Sequence, residues 1–267
     1  MEKPLYNKKR KIIKRAIISV VCLLITALLI GPPIAVHIIT SGHVDYGVIE
    51  DHPLQNMYSP LDFDLTANEM MLTTEDGYNI WASEIYTENP KAIIIYWSGI
   101  QQPSVTLPIV IQGVSMGGAI AINAFGQLED IDGLIAASAY SSFEDVVVDT
   151  MRNYHIPSFI CAIERPLIHL SLRFTFGDKV NELVPIKQVE NIGERPALFI
   201  ASVNDDQVSA ENMARLLAAA PEHCTGWLRD AETAGHFILL NYDFENIAFD
   251  TEYCERVLSF LENEVLK

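Results

Sequence analysis

The sequence has few cysteines and no motif typical of a bound metal or nucleotide. Its four cysteines show no spacing with histidine that resembles a zinc site. A glycine-rich phosphate loop is also missing. We therefore expect neither a metal nor any other cofactor. Cys22 lies in an apolar run, and Cys161, Cys224 and Cys254 leave room for one disulfide in an oxidising compartment.

Positive charge is scarce beyond the first fifteen residues. The chain has 18 basic and 35 acidic residues, a formal net charge of −17. Residues 1–15 hold seven basic groups against one acidic group, which leaves −23 for the remainder. So acidic a surface argues against binding to nucleic acid and against docking on anionic lipid. We expect no nucleic-acid partner.

Charged side chains are also missing from a stretch near the amino terminus. Residues 16–42 contain no Asp, Glu, Lys or Arg, and a bilayer-spanning helix needs about 20 apolar residues. A cleaved secretory signal is the alternative, but no small-x-small cleavage site follows. We favour a retained transmembrane anchor at residues 16–39, in which Pro32 and Pro33 kink or end the helix.

The basic residues set the expected orientation of this anchor. Residues 1–15 form a basic tail on the amino-terminal side of the apolar run. Positively charged flanks stay in the cytoplasm. The sequence therefore predicts a single-pass membrane protein with a cytoplasmic amino terminus and an extracytoplasmic domain.

The rest of the chain alternates strand-like and helix-like runs. Residues 40–61 are predicted to be a polar linker, and residues 62–267 are predicted to form the folded domain. Strands are predicted near residues 69–74, 79–87, 92–97, 109–112, 133–139, 196–201 and 226–230, and helices near 210–220 and 252–264. This alternation predicts an α/β fold with a mostly parallel sheet flanked by helices. Asp76-Gly77 predicts an antiparallel hairpin that opens the sheet.

One short stretch combines a strand, a sharp turn and a helix. Pro108 to Gly118 reads PIVIQGVSMGG, and a helix-forming AIAINAFGQL follows. A serine on such a turn has a strained backbone, so Gly113 and Gly117 suit the positions two before and two after Ser115. A G-x-S-x-G string also arises by chance. Its context and the partners downstream favour a functional nucleophile.

A nucleophilic serine needs a base that removes its proton. His236 follows Ala234-Gly235 just past the last predicted strand, where a loop brings an imidazole over the sheet edge. His155 and His169 lie in an apolar helical segment and suit that role less well. A purely structural role for His236 is the alternative.

The base in turn needs an acid that orients it. Asp205 and Asp206 follow the strand ALFIAS. Asp205 is favoured because it comes three residues before Val208, which begins the approach to the next helix. Asp206 is the second choice, and Glu144 and Asp145 are remoter alternatives.

Together these motifs resemble the α/β-hydrolases of the serine aminopeptidase or lysophospholipase-like kind. GVSMGG, NDDQV and AGH occur in the family's order, and the resemblance covers about residues 62–267. It implies that Ser115 is the nucleophile, Asp205 the orienting acid and His236 the general base. The implied function is a serine hydrolase that cleaves an ester or amide bond in a small-molecule or lipid-like acyl substrate through an acyl-enzyme.

The resemblance also implies an oxyanion hole and a cap. Ser98-Gly99 occupies the place of the family's His-Gly. By position, the N–H of Ile100, or of Gln101, would therefore form the oxyanion hole together with the N–H of Met116. A helical cap insertion is expected at about residues 140–190. Its apolar segment is expected to cover an acyl-binding cleft. The alternative is that it consists of ordinary helices that pack on the sheet.

The chain departs from the family between the third predicted strand, at residues 92–97, and the predicted strand at residues 109–112, which precedes Ser115. Only residues 100–107 lie there, whereas a parallel crossover needs a dozen or more residues. The fold is therefore predicted to be truncated here, with apolar surface on Ile93–Tyr96 and Ile109–Ile111 partly open. The rival hypothesis is a membrane-anchored, non-catalytic hydrolase remnant that acts, if at all, as a binding protein.

Overall fold

A computed structural model describes residues 3–41, 66–73, 79–85, 87, 90–96, 107–182, 184–230, 234–238 and 250–267. The helices are α1 (Lys3–Ser41), α2 (Met116–Gln127), α3 (Phe143–Asn153), α4 (Ser158–Phe176), α5 (Pro185–Gln188), α6 (Glu211–Ala219) and α7 (Thr251–Phe260). The strands are β1 (Ala67–Thr73), β2 (Asn79–Ile85), β3 (Ile93–Tyr96), β4 (Ile109–Val114), β5 (Gly133–Ala137), β6 (Ala197–Ser202) and β7 (Thr225–Arg229). The chain divides into two compact units.

The first unit contains α1 and residues 150–180, which include α4. Helix α4 packs against α1, and Pro32 and Val36 of α1 are buried. Of the two expectations for Pro32 and Pro33, that they kink or end the helix, the second is wrong, because α1 continues to Ser41. A proline inside a helix costs a hydrogen bond, and the packing around Pro32 offsets part of that cost.

Among the described residues, one helix is long and apolar enough to cross a membrane, at Ile13–His37. A signal sequence near the amino terminus would meet the same criterion. The predicted linker at residues 40–61 lies almost wholly outside the described residues.

The second unit is built on a five-stranded sheet in the order β3-β4-β5-β6-β7. Each neighbouring pair is parallel, so the carboxyl ends of all five strands share one edge. The predicted α/β fold with a parallel sheet is confirmed. Only 12 residues, 97–108, join β3 to the parallel β4.

The predicted antiparallel hairpin forms from β1 and β2, paired from Ala67 with Ile85 to Thr73 with Asn79. It is a separate two-stranded sheet, so the expectation that it opens the larger sheet is wrong. The reason lies in the pairing of the strands. The described residues of β1 and β2 pair with each other, whereas those of β3 pair with β4.

Apolar residues pack on both faces of the sheet because successive side chains point to opposite sides. Ile109 and Ile111 of β4 join Ile122 and Phe125 of α2 in one core cluster. Val110 joins the other, which includes residues of α7 and of the turn after it. The expectation that residues 109–111 would be partly open is therefore wrong, whereas Ile94 on the edge strand β3 is 47% exposed.

The cysteines are free in this structure. Cys161 is buried, whereas Cys224 and Cys254 are half-buried. Burial raises the pKa of Cys224 to about 11, and the thiolate is the reactive form. The sequence left room for a disulfide, and the structure contains none among these three residues.

Candidate active site

Ser115 sits on the turn between β4 and α2, above the carboxyl edge of the sheet. Its φ of 58° places a non-glycine residue in the left-handed region, which is strained for an L-amino acid. The Ser115 N–H donates to the carbonyl of Ala137 at 2.9 Å, and its carbonyl accepts from the N–H of Ala119 at 3.1 Å. These bonds hold the strained turn in place.

The turn requires glycine at position 113. A Cβ on Gly113 would lie 2.2 Å from the carbonyl oxygen of Gly117 and 2.7 Å from the N of Gly118. Both neighbours are backbone atoms that cannot move aside cheaply. The predicted need for a residue without a side chain two positions before the serine is therefore confirmed.

The His236 ring lies beside the serine hydroxyl. Its Nε2 is 2.8 Å from the Ser115 Oγ, although the two residues are 121 positions apart in the chain. His236 is 2% exposed, and Ser115 is half-buried. Ser115 is thus partly exposed, while the imidazole beside it is shielded from water.

The Asp205 carboxylate contacts the other ring nitrogen. Both of its oxygens are 2.9 Å from His236 Nδ1, and its side chain has 0% exposed surface. Burial opposes ionisation of this carboxyl, but the bonds from His236 and from the N–H groups of Val208 and Gln207 outweigh that effect and lower its pKa.

This arrangement fixes the tautomer of the imidazole. An ionised carboxylate can only accept hydrogen bonds, so Nδ1 carries the proton. Nε2 is then left with a lone pair that accepts the hydroxyl of Ser115. The structure thus brings together the three residues that the sequence predicted, in the geometry of a nucleophile, a base and an orienting acid.

The loop that carries His236 is held by polar side chains at the ends of three neighbouring strands. Ser138, just past β5, donates to the His236 carbonyl at 2.6 Å. Ser202 of β6 donates to the carbonyl of Ala234 at 2.5 Å. Arg229 of β7 donates to the carbonyl of Ile238 at 2.8 Å.

Arg229 is itself fixed by a buried ion pair. Its guanidinium donates to both carboxylate oxygens of Asp250 at 2.6 Å, and Arg229 is fully buried. Asp250 also caps the start of α7 by accepting from the N–H of Tyr253. The histidine loop is therefore tied through Arg229 to α7.

Sequence reasoning missed Ser138, Ser202 and Arg229. Each is a polar residue at or just past the carboxyl end of an otherwise apolar strand. Carboxyl ends of parallel strands meet at one edge, where α/β folds place their sites. That shared position was the available signal.

The alternative acids have other surroundings. Asp206 is exposed. Asp145, at the start of α3, accepts from the hydroxyls of Ser141 and Ser142 at 2.6 and 2.7 Å. Of the described carboxylates, the one on the imidazole is that of Asp205.

The backbone of Met116 begins α2 directly beside Ser115. The first N–H groups of a helix have no partner within it and carry partial positive charge. Met116 is 64% exposed, so substrate can reach this point. Ile100 and Gln101, the other expected oxyanion donors, lie outside the described residues.

No group of His, Cys, Asp or Glu able to hold a metal ion occurs in the part of the chain that the structure describes.

The chain resembles known hydrolases in its fold, not in its sequence. No protein-family model and no curated protein matches it. An esterase of Pyrococcus furiosus superposes with a TM-score of 0.54 at 15% identity, over 78% of this chain and 95% of that one. An esterase domain of a Rhodothermus marinus protein gives 0.47 at 14% identity, over 72% and 97%. An acylaminoacyl peptidase of Pyrococcus horikoshii gives 0.42 at 15% identity, over 60% and 24%.

The likeness to the Pyrococcus furiosus esterase shows the class of fold: a parallel sheet flanked by helices, of the α/β-hydrolase kind. At this identity the likeness does not extend to an activity. The chemistry that this chain can perform depends on its own side chains.

Proposed function

We propose that this protein is a serine hydrolase that cleaves an ester or amide bond through an acyl-enzyme. One observation carries the proposal: a continuous hydrogen-bonded chain from the Ser115 hydroxyl through His236 to the buried Asp205. A hydroxyl is a weak nucleophile until a base removes its proton. His236 is that base in this proposal, and its ring is oriented by Asp205 and shielded from water.

The first half-reaction forms the acyl-enzyme. His236 Nε2 takes the hydroxyl proton as Ser115 Oγ attacks the substrate carbonyl carbon, which gives a tetrahedral oxyanion. The imidazolium, stabilised by the Asp205 carboxylate, then gives this proton to the leaving alcohol or amine as the scissile bond breaks. The acyl group remains on Ser115.

The second half-reaction repeats the proton transfers with water. His236 takes a proton from a water molecule that attacks the acyl carbon, and a second tetrahedral oxyanion forms. Its collapse returns the proton from His236 to Ser115 Oγ and releases a carboxylic acid. The enzyme is regenerated with no cofactor.

The oxyanion in both steps needs hydrogen-bond donors aimed at it. The N–H of Met116, at the start of α2, is one donor in this proposal. Ile100 is the other, on the strength of its sequence position alone. The partial positive charge at the start of α2 adds to the stabilisation.

The proposed substrate is a small-molecule or lipid-like acyl compound. Two features support it: Ser115 is half-buried rather than enclosed, and Met116 next to it offers an exposed apolar side chain. The proposed location is the membrane, through α1 as a retained single-pass anchor with the amino terminus in the cytoplasm. The apolar segment Ile13–His37 supports this location.

A second candidate is a non-catalytic hydrolase remnant that binds a ligand or partner. The observation in its favour is the short connection of 12 residues between the parallel strands β3 and β4. The family places a helix, a strand and another helix there. Ile94 on β3 is correspondingly exposed.

Ester hydrolysis by matched serine variants separates the two candidates. Full-length protein is assayed with p-nitrophenyl esters of several chain lengths, as are Ser115→Ala, His236→Ala and Ser158→Ala. Ser158 is an exposed serine at the start of α4 and serves as the control. The hydrolase proposal predicts a loss of roughly 10⁴-fold or more at positions 115 and 236 and parental turnover at 158. Parental turnover in Ser115→Ala would refute it.

A further inference from the structure

Helix α4 has two opposite faces with different surroundings. One face is buried in the first unit, where α4 packs against α1. Its members are Cys161, Glu164, Ile168, Ser171 and Leu172.

The opposite face of α4 is apolar and exposed. We call it the apolar strip: Phe159, Ile163, Leu170 and Phe174. These positions are separated by four, seven and four residues, which places them on one side of a helix with about 3.6 residues per turn. Phe159 is 68% exposed and Phe174 83%. From end to end the strip spans about 22 Å of helix.

A large exposed apolar surface of this kind marks an interaction site. Leucine alone on a surface is ordinary, but two phenylalanines aligned with two aliphatic residues are not. Arg165 and Arg173 lie on a third side of the same helix, between the strip and the buried face. Basic residues beside an apolar face are typical of helices that lie in a membrane interface.

The neighbour of α4 identifies the partner. Helix α1 contains the apolar segment Ile13–His37, and its buried residues Pro32 and Val36 lie near the carboxy-terminal end of that segment. Leu29 and Ile34, at the same end, are exposed. A helix packed at the end of a membrane span must itself lie at the level of the lipid surface.

We propose that the apolar strip of α4 inserts into the bilayer leaflet in which the carboxy-terminal end of α1 lies. The partner is the lipid acyl region, not a protein. The inference rests on α1 as the anchor of the proposed function and adds a second, interfacial contact. Residues 150–180 have four basic and two acidic residues, so this segment lacks the excess of acidic groups that makes the rest of the domain unsuited to anionic lipid.

The charge pattern also predicts that burial of apolar side chains, rather than attraction to charged lipid, dominates the binding of the strip to the bilayer. The strip itself carries no charged residue, and insertion of apolar side chains gains free energy in any bilayer. Binding of the strip is therefore expected in uncharged phosphatidylcholine. It does not require anionic lipid.

The test uses tryptophan as a conservative reporter in the full-length protein. Phe159→Trp and Phe174→Trp are reconstituted in phosphatidylcholine vesicles, made with and without bromine atoms on the acyl chains. Arg165→Trp is the matched control: Arg165 is exposed, and it lies about 120° from Phe159 and about 180° from Phe174 around the helix. Ile25→Trp reports separately on insertion of α1. The emission added to that of the three native tryptophans is measured in each case.

Brominated lipid should quench most of the added emission at positions 159 and 174 and little of it at 165. Aqueous iodide should give the reverse order. The proposal is overturned if iodide quenches positions 159 and 174 as strongly as 165 while Ile25→Trp is quenched by bromine. It is also overturned if neither quencher reaches the strip, because a second copy or another protein then covers it.

Failure of the anchor and failure of the hydrolase are distinguished in the same preparation. If bromine leaves Ile25→Trp unquenched, the anchor is wrong and this inference falls with it. Ester hydrolysis by the same vesicles tests the site in the second unit independently. Quenching of tryptophans in the strip does not depend on the outcome of the ester hydrolysis assay.

Discussion

At the residue scale, His236 is held at three points, two on its ring and one on its backbone. Ser115 and Asp205 contact its two ring nitrogens, and Ser138 holds its backbone carbonyl. A base whose orientation is set in advance needs little rearrangement during reaction. This preorganisation is the strongest argument that the group acts as a unit.

The adjacent aspartates give a matched pair for testing the orienting acid. Asp205→Asn should reduce turnover by roughly 10⁴-fold, because an amide favours the wrong tautomer of the imidazole. Asp206→Asn alters the exposed neighbour and should leave turnover near the parental value. Steady-state ester hydrolysis by the two variants shows which of the two aspartates orients the imidazole. The reverse ranking would transfer the role to Asp206.

The lowered pKa of Asp205 predicts a dependence of stability on pH. A carboxyl whose pKa falls on folding contributes stability that is present above its unfolded pKa and is lost as the pH falls through its folded pKa. Asp205→Asn should therefore lower the free energy of unfolding more at neutral pH than below about pH 4. Denaturant titrations at several pH values measure this difference. An equal loss at every pH would contradict the lowered pKa.

The three site residues could be predicted from the sequence because each lies in a short motif. Ser115 has flanking glycines, and Asp205 and His236 follow predicted strands. Ser138 and Arg229 lie at the carboxyl ends of strands, which is a signal for the edge of the sheet where the site forms. Their contacts could not be assigned, because a backbone carbonyl can belong to any residue and so the sequence does not identify the partner.

At the element scale, we expect the short connection between β3 and β4 to limit the proposed activity. It joins two parallel neighbours with 12 residues, and the edge strand β3 exposes Ile94. The second oxyanion donor is expected in this connection. Losing one aligned donor typically costs about 10²–10³ in rate.

Insertion of a helix-strand-helix segment tests the importance of this connection. A segment of roughly 50–70 residues, taken from an α/β-hydrolase and placed between residues 106 and 107, should sharpen thermal unfolding and raise ester turnover. A flexible Gly/Ser linker of equal length is the control and should do neither. Thermal melts and p-nitrophenyl ester assays compare the three proteins. A sharp melt and ordinary turnover in the parent chain would show that the short connection is sufficient.

The elements that could be predicted are those with a strong local pattern. Strands β4, β5 and β6 are apolar runs buried on both faces, and the hairpin had a turn signal at Asp76-Gly77. The continuation of α1 past Pro32 and Pro33 was not predictable, because packing against α4 is a tertiary effect. The separation of the hairpin from the sheet likewise depends on which strand edges meet.

At the scale of the whole molecule, charge and hydrophobicity are divided along the chain. Five of the seven basic groups in residues 1–15 precede the apolar segment Ile13–His37, and Lys14 and Arg15 lie at its start. All the acidic residues except Glu2 follow the segment. This distribution is the basis of the proposed orientation, with the amino terminus in the cytoplasm and the domain outside.

Protease added to intact cells tests this orientation. The domain beyond residue 61 should be digested, while an epitope at the amino terminus should stay protected. Permeabilised cells, in which both are digested, provide the control. Protection of the domain in intact cells would reverse the orientation, and a mature protein that begins near residue 42 would replace the anchor with a cleaved signal.

The most direct test of the central proposal is covalent labelling by a fluorophosphonate probe, which reacts with activated serines. The native full-length protein is treated with the probe, and the labelled residue is identified by mass spectrometry. Ser115→Ala and heat-denatured protein are the controls. The proposal predicts a single adduct on Ser115 of the native protein that is lost in both controls. Native, folded protein that leaves Ser115 unlabelled would contradict it and favour the non-catalytic remnant.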